Sequence, residues 1–228
     1  MCGRYTLRTV SHVVSDYAAS LTAPFIDFVP RYNVAPTQTM PILRRSREGG
    51  FELVPMKWGL VPGWAKDPKI GNTLINARAE TIAEKPTFRT AFQKRRCLVP
   101  VDGFYEWHHR PAEGGPGPKV PHFIHLKTDE SFVFAGLWEW WRGPDAPLES
   151  YTIVTTTPNA MMEKLHNRMP VILSRDAAEA WTNAETSPDE LRSLLLPFDS
   201  DAMDSYIVDR AVNTPRNESP DLITPVKG

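Results

Sequence analysis

Twenty-two prolines in 228 residues constrain this chain more than any other feature. They are spread along its whole length and divide the apolar sequence into short runs. Proline fixes φ and has no backbone N–H, so it disfavours helix interiors and central strands. A chain punctuated in this way folds as short strands joined by turns. The runs that qualify are Glu52–Val61, Arg96–Trp107, His122–Lys127, Ser131–Trp141, Ser150–Thr156, Val171–Leu173 and Ser205–Asp209. Helices are fewer. Val10, Val13, Val14 and Tyr17 recur at helical spacing, and Pro86–Lys94 carries Phe88 and Phe92 on one face. Thr157 with Pro158 predicts a capped helix over Pro158–Leu165, and Ser174 caps Asp176–Trp181. Ser187-Pro188-Asp189-Glu190 is a capping box ahead of Leu191, Leu194 and Leu195. The order predicts an α+β fold, mainly antiparallel and barrel-like, with peripheral helices. One compact domain over residues 1–228 suits this length and a hydrophobic content of 41%. His108–Pro118 reads as an exposed loop between strands. Asn213–Gly228 reads as an extended or frayed tail.

No apolar run approaches the ~20 residues that span a membrane. The N-terminus lacks the apolar core of a secretory or lipoprotein leader. Cys2 and Cys97 lie too far apart in a long chain to suggest a disulfide framework, so a reducing cytoplasm is expected. A net charge of −1 hides an asymmetry: residues 1–100 carry 15 Lys/Arg against 7 Asp/Glu, and residues 101–228 carry 11 against 20. A basic half is either an electrostatic footprint for nucleic acid or one side of a charge balance within the fold.

Cys2 is the candidate nucleophile. A small second residue favours removal of Met1, and the chain then begins with a free α-amine beside a thiol. An N-terminal amine can activate a neighbouring nucleophile without a separate base. A 1,2-aminothiol also reacts with an aldehyde, first as an imine and then as a five-membered thiazolidine. The alternative is a second residue in a frayed terminus. Within Arg96–Trp107 an apolar strand meets a turn at Asp102-Gly103, and a second strand bears Glu106 between Tyr105 and Trp107, either as a desolvated general acid or as an outward-facing residue. His166 follows a helix and precedes a strand, where it shuttles a proton or caps a helix end. Alternation puts Asn76 and Arg78 on one face of a short extended segment, suited to a sugar and its phosphate or to ordering a turn. Trp64 follows a turn and is placed to stack on a base, whereas Trp138 and Trp140 read as sheet packing. No CxxC or HExxH supports a metal site, no GxGxxG or P-loop supports a nucleotide cofactor, and there is no GxSxG. Cys97, in an apolar strand, reads as an inert buried thiol.

Several segments carry a resemblance when taken in order. They are Met1-Cys2-Gly3-Arg4-Tyr5, Arg31 to Thr37, Trp58 to Trp64, Asn76-Ala77-Arg78-Ala79-Glu80-Thr81, Arg96 to Trp107, Gly136 to Glu139, and His166-Asn167-Arg168-Met169-Pro170. Together they resemble the SRAP family (SOS response-associated peptidase, HMCES-like). The resemblance implies a β-rich fold with the mature N-terminus at its active site. It implies covalent trapping of abasic sites in single-stranded DNA, by a monomer without cofactor or metal, cytoplasmic and nucleoid-associated when bound. In that reading Cys2 forms the imine and then the thiazolidine. Asn76 orients the N-terminus or the sugar, Glu106 acts as acid/base, and His166 transfers a proton at the sugar ring oxygen. Thr155 matches a family active-site position. Arg4, Arg78 and Arg168 match contacts to DNA phosphates, and Pro36 and Trp64 shape the kinked strand. The crosslink shields the lesion, imine chemistry brings some β-elimination, and Met1 leaves by self-cleavage or by an aminopeptidase. Two alternatives compete: an amide hydrolase with a cysteine nucleophile, and a reversible reader of modified or single-stranded DNA. The Gly/Pro-rich stretch His108–Pro118 departs from the family pattern.

Overall fold

A computed structural model describes residues 2–17, 20–21, 28–112, 115–144 and 146–227, the side chains of 20–21, 109–112 and 115–116 excepted. In chain order its elements are β1 (Tyr5–Leu7), α1 (Ser11–Tyr17), β2 (Ser20–Leu21), β3 (Arg31–Val34), β4 (Thr39–Arg45), β5 (Phe51–Trp58) and β6 (Asn76–Arg78). They continue as α2 (Arg89–Lys94), β7 (Arg96–Val101), β8 (Gly103–Ala112), β9 (Gly115–Leu126), β10 (Phe132–Arg142) and β11 (Pro147–Thr156). The last are β12 (Met169–Pro170), β13 (Ile172–Leu173), α3 (Arg175–Thr182), α4 (Pro188–Ser193) and β14 (Met203–Ile207).

Five strands close on themselves. β10 is antiparallel to β7 and β11, β4 is antiparallel to β5 and β7, and a parallel pairing of Lys57 with Ser150 and Trp58 with Tyr151 joins β5 to β11. Closure removes the edges that an open sheet exposes. Pro41 and Pro55 are cross-strand partners, so the two missing donors of β4 and β5 fall on one rung of the ladder. A second sheet has the order β14-β9-β8-β1-β3. Arg96–Trp107 forms two strands about Asp102-Gly103, as expected, and they lie in two different sheets. Asp102 makes the crossing: its buried carboxylate accepts from Thr6 Oγ1 at 2.5 Å and pairs with Arg8 Nε at 3.1 Å. Gly103 follows because no Cβ fits there; one would sit 2.1 Å from the Phe123 ring.

Most of the expected elements form, and Ser174 and Ser187 each accept from a first-turn N–H as caps. The readings of Pro158–Leu165, His108–Pro118 and Trp140 need correction. Pro158–Leu165 is not a helix but a short 3-10 turn at Met162–Lys164, because Asn159 rather than Thr157 begins it, its side chain accepting from Met162 N–H at 2.9 Å. His108–Pro118 is not a free loop: β8 and β9 run through it as a hairpin pairing His108 with Val120 and Ala112 with Gly115, with residues 113–114 outside the described set. Its prolines are tolerated because, among the described residues, pairing on the outer edges stops at Tyr105 of β8, whose N–H donates to the Arg4 carbonyl, and at Pro121 of β9, whose carbonyl accepts from Val208 N–H. Of the two readings of the tail, residues 213–227 take the packed one. Asn33 Nδ2 donates to the carbonyls of Val212, Thr214 and Asn217 at 3.0–3.2 Å, and Arg31 pairs with Glu218 at 3.0 Å. Trp140, expected in packing, is 42% exposed with the Arg142 guanidinium 4.9 Å over its ring. Cys97 is fully buried, as expected.

Candidate active site at the N-terminus

The N-terminal segment is the centre of a sheet, not its fringe. β1 lies between β3 and β8, with Tyr5 opposite both Val34 and Phe104. Tyr5 is fully buried, its hydroxyl 2.7 Å from that of Tyr151 and its ring 5.2 Å from that of Trp58. These contacts deliver Cys2, itself fully buried, to a fixed place. Its carbonyl accepts from Asn76 Nδ2 at 2.8 Å, and its Sγ lies 3.9 Å from the Arg4 carbonyl. Asn76 is positioned in turn by β6, which pairs in parallel with β11, and by Trp58 Nε1 donating to the Ile75 carbonyl at 2.9 Å. The Asn76 Oδ1 atom is buried without a hydrogen-bond partner among the described residues.

Glu106 is 5% exposed on β8, so it does not face outward. Its carboxylate accepts from Trp107 N–H at 3.2 Å. Burial first, and then the negative charge of Glu106, push the Cys2 thiol from 9.0 up to about 12. The thiol therefore keeps its proton at neutral pH.

A second group gathers at the end of β11. Thr155 is opposite Arg78 of β6 and Pro170 of β12 at once, one on each edge. Arg168 Nη2 donates to the Thr155 carbonyl at 2.6 Å, and the guanidinium forks onto both oxygens of Glu80. That hydrogen bonding holds the Glu80 carboxyl below the usual carboxylate range. His166 Nδ1 accepts from Arg168 N–H at 3.0 Å, so the neutral ring carries its proton on Nε2. Strand β6 links the two groups, since Asn76 and Arg78 are two residues apart on it. Among the described residues, no cluster of three or more His, Cys, Asp and Glu side chains is placed to hold a metal ion. No helix among them is long and apolar enough to cross a membrane.

A family model for SOS response associated peptidase (SRAP) matches residues 1–215. The chain belongs to the SRAP family. It is 45% identical over 227 residues to abasic site processing protein YoqW of Bacillus subtilis (strain 168), covering 98% of this chain and 99% of that protein. It is 30% identical to abasic site processing protein HMCES of Mus musculus, covering 87% of this chain and 65% of that one. The crystal structure of a protein from Bacteroides thetaiotaomicron superimposes with a TM-score of 0.88 at 29% identity, over 99% of this chain and all of that one.

Against this SRAP frame the remaining residues singled out in the sequence fall in different places. Arg78 is exposed beside Thr155. Arg4 is engaged internally: Nη1 donates to Asn33 Oδ1 at 2.8 Å and to the Val212 carbonyl at 3.0 Å, with the guanidinium 5.8 Å over Trp107. It pins the C-terminal segment to the N-terminal one. Trp64 is 63% exposed on a loop held by Trp141 Nε1, which donates to the Ala65 carbonyl at 2.7 Å. Pro36 precedes Thr37, whose φ of 74° is rare for a β-branched residue. Thr37 N–H donates to the Trp58 carbonyl at 2.9 Å, so that turn is tied to the same tryptophan that supports Asn76. A surface groove of about 640 Å³ lined by Arg44, Arg45, Arg47, Trp138 and Trp140 shares no residue with the N-terminal cluster. Sequence reasoning missed Trp58, Tyr151 and Glu80 as supports. Trp58, at the head of the Trp58–Trp64 motif, and Glu80, inside the Asn76–Thr81 motif, gave a visible signal; Tyr151 gave none.

Proposed function

We propose that this protein processes abasic sites in DNA by trapping them covalently on Cys2. The observation that carries the reading is the Cys2 backbone held at 2.8 Å by Asn76 with the buried Glu106 acting on its thiol. The names of its relatives, abasic site processing proteins, support the same substrate.

Removal of Met1 gives Cys2 a free α-amine. An abasic deoxyribose opens in part to an aldehyde, and His166, with a proton on Nε2, assists at the ring oxygen. The neutral amine adds to the aldehyde carbon and forms a carbinolamine. Glu106 protonates its hydroxyl, water leaves, and a protonated imine remains. The thiol then adds to the imine carbon, its proton returns to Glu106, and the thiazolidine ring closes. Arg78, Arg168, the exposed Trp64 and the half-buried Pro36 hold single-stranded DNA around the lesion. Arg4 shapes this surface from behind. Some imine partitions to β-elimination, so a minor lyase activity accompanies the crosslink, and self-processing is one route by which Met1 is removed. A cysteine hydrolase needs a thiolate, and the surroundings of Cys2 oppose one.

The test is a denaturing gel of the chain, confirmed by mass to begin at Cys2, with single-stranded DNA carrying one abasic site. A shifted band that needs the lesion and vanishes in Cys2→Ala is expected. Absence of that band refutes the proposal. Reversible, salt-sensitive binding that survives Cys2→Ala, without any band, establishes the non-covalent reader instead.

A further inference from the structure

We propose that His122 is a positioning residue for Glu106: it faces the carboxylate across the β8–β9 ladder, offsets its charge and exchanges its proton, with His108 the next group outward. The inference rests on the reading of the site given above.

The register carries it. Glu106 and His122 are direct antiparallel partners. Residues directly opposite project from the same face, with Cβ atoms about 4.5–5.5 Å apart. One step inward the pair on that face is Phe104 and Ile124, and both belong to the core cluster that contains Cys2. Tyr105, Trp107 and Phe123, the intervening residues, pack on the opposite face with the C-terminal segment. Glu106 and His122 therefore project to the Cys2 side. His108 follows two residues on from Glu106, and its ring stands edge-on to that of His122 at 6.2 Å. Along this row burial falls from Phe104, fully covered, through Glu106 to the half-buried His108 and His122. The row leads from the thiol toward solvent.

Glu106 is the ionisable group directly opposite His122 on the described ladder. On the far edge of β9, His122 is paired with Ile207 of β14. Its same-face neighbours along β9 are Val120 and Ile124. Among described side chains the titratable groups facing it are thus Glu106 and His108 from β8, with the Cys2 thiol beyond Glu106.

The chemistry needs such a group. When Glu106 gives its proton to the carbinolamine hydroxyl, it becomes an anion in a buried site until the thiol proton returns. An imidazolium opposite it offsets that charge, which a buried carboxylate lacks in the absence of water. No net proton is consumed, since one water leaves and the thiol proton restores Glu106. His122 keeps its own proton as the imidazolium in the interval, or passes it to Glu106 when Glu106 starts ionised and regains it once the thiol proton is released.

Two measurements test this. The rate of covalent product formation with abasic single-stranded DNA is followed from pH 5 to 9 for the mature chain and for His122→Gln. His122→Gln is expected to slow the reaction about tenfold near pH 7 and to lose the limb that titrates in the histidine range. Independently of DNA, the imidazole of His122 is titrated by NMR in the native chain and in Glu106→Gln, where its midpoint is expected to move to lower pH. An unmoved midpoint overturns the inference, even if His122→Gln does not fold. A crosslinking wild type with an identical profile in His122→Gln also overturns it. No crosslink from the wild type at any pH refutes the reading of the site itself, while the NMR midpoint still reports whether the two residues are coupled.

Discussion

The state of the Cys2 thiol decides the order of events at this site, and it is measurable before any DNA is added. Burial and Glu106 raise the thiol from 9.0 to about 12. Three units correspond to about a thousandfold less thiolate at pH 8. In the chain that still carries Met1, alkylation of Cys2 by iodoacetamide at pH 8 is therefore expected to be at least about a thousand times slower than in urea. Burial also denies the reagent access, so the pH dependence separates the two causes. The unfolded thiol levels off above pH 9, whereas the native rate should keep rising about tenfold per pH unit beyond pH 10. Quenched time points, digestion and mass spectrometry of the N-terminal peptide give both curves. The same shift sets a sign for stability. The folded state holds this proton more tightly, so its contribution is complete below pH 9 and is lost as pH rises toward about 12. At pH 10 the loss from Cys2 is about 1.4 kcal/mol, which Cys2→Ala should abolish. Equal native and unfolded alkylation rates at pH 8, or a native plateau below pH 10, would refute the reasoning. If the prediction holds, the thiol is not the first nucleophile, and the amine must act before it.

Other outcomes follow from single contacts. Asn76→Ala leaves the buried Cys2 carbonyl without its 2.8 Å donor; a loss of about 1–3 kcal/mol predicts crosslinking roughly ten to a hundredfold slower, and Asn76→Asp should be no better. Glu80→Gln releases the Arg168 guanidinium from its fork, so anisotropy titrations over a salt series should show tighter single-stranded DNA binding and a slope steeper by up to about 0.7. Gly103→Ala forces a Cβ to within 2.1 Å of the Phe123 ring and should cost about 1–3 kcal/mol in a denaturation midpoint, whereas an unchanged midpoint would show that the crossing between sheets is not tight.

How much of this was legible in the sequence depends on the range of the interaction. The long strands β8 to β11 announce themselves through apolar runs, and the caps at Ser174 and Ser187 through local chemistry. The short strands β1 and β3 have three or four residues and no pattern to read, and they exist because the second sheet supplies their partners; β6 was legible as an extended segment, its partner β11 was not. The hairpin through His108–Pro118 was hidden because its Gly/Pro content resembles a loop, while its outer edges need no donors. Asn76, Glu106 and His166 could be picked out as polar residues in apolar surroundings. Their support could not. Trp58 touches Tyr5 and the Ile75 carbonyl from a distant strand, and nothing near it in sequence signals either contact. Arg4, which the family resemblance makes a phosphate contact, has an internal role that no local pattern announces: its Nη1 serves Asn33 and the Val212 carbonyl.

A chain terminus is ordinarily the worst place for a precise reaction, because few contacts restrain it. Here the restraint comes from topology. β1 is only three residues long, but both of its edges are paired, and Tyr5 is locked between Trp58 and Tyr151, the two residues whose pairing closes the barrel. Cys2 is three residues from that lock and is held again by Asn76. The mature α-amine then starts at a residue whose carbonyl and side chain are already placed, which lowers the entropy lost on reaching the aldehyde. Tyr151→Phe keeps the ring and removes one hydroxyl of the 2.7 Å pair. If positioning by the barrel is what makes this terminus reactive, that variant should fold, bind DNA as before and crosslink more slowly. A Tyr151→Phe chain that crosslinks at the native rate would mean that the sheet pairing of β1 alone suffices.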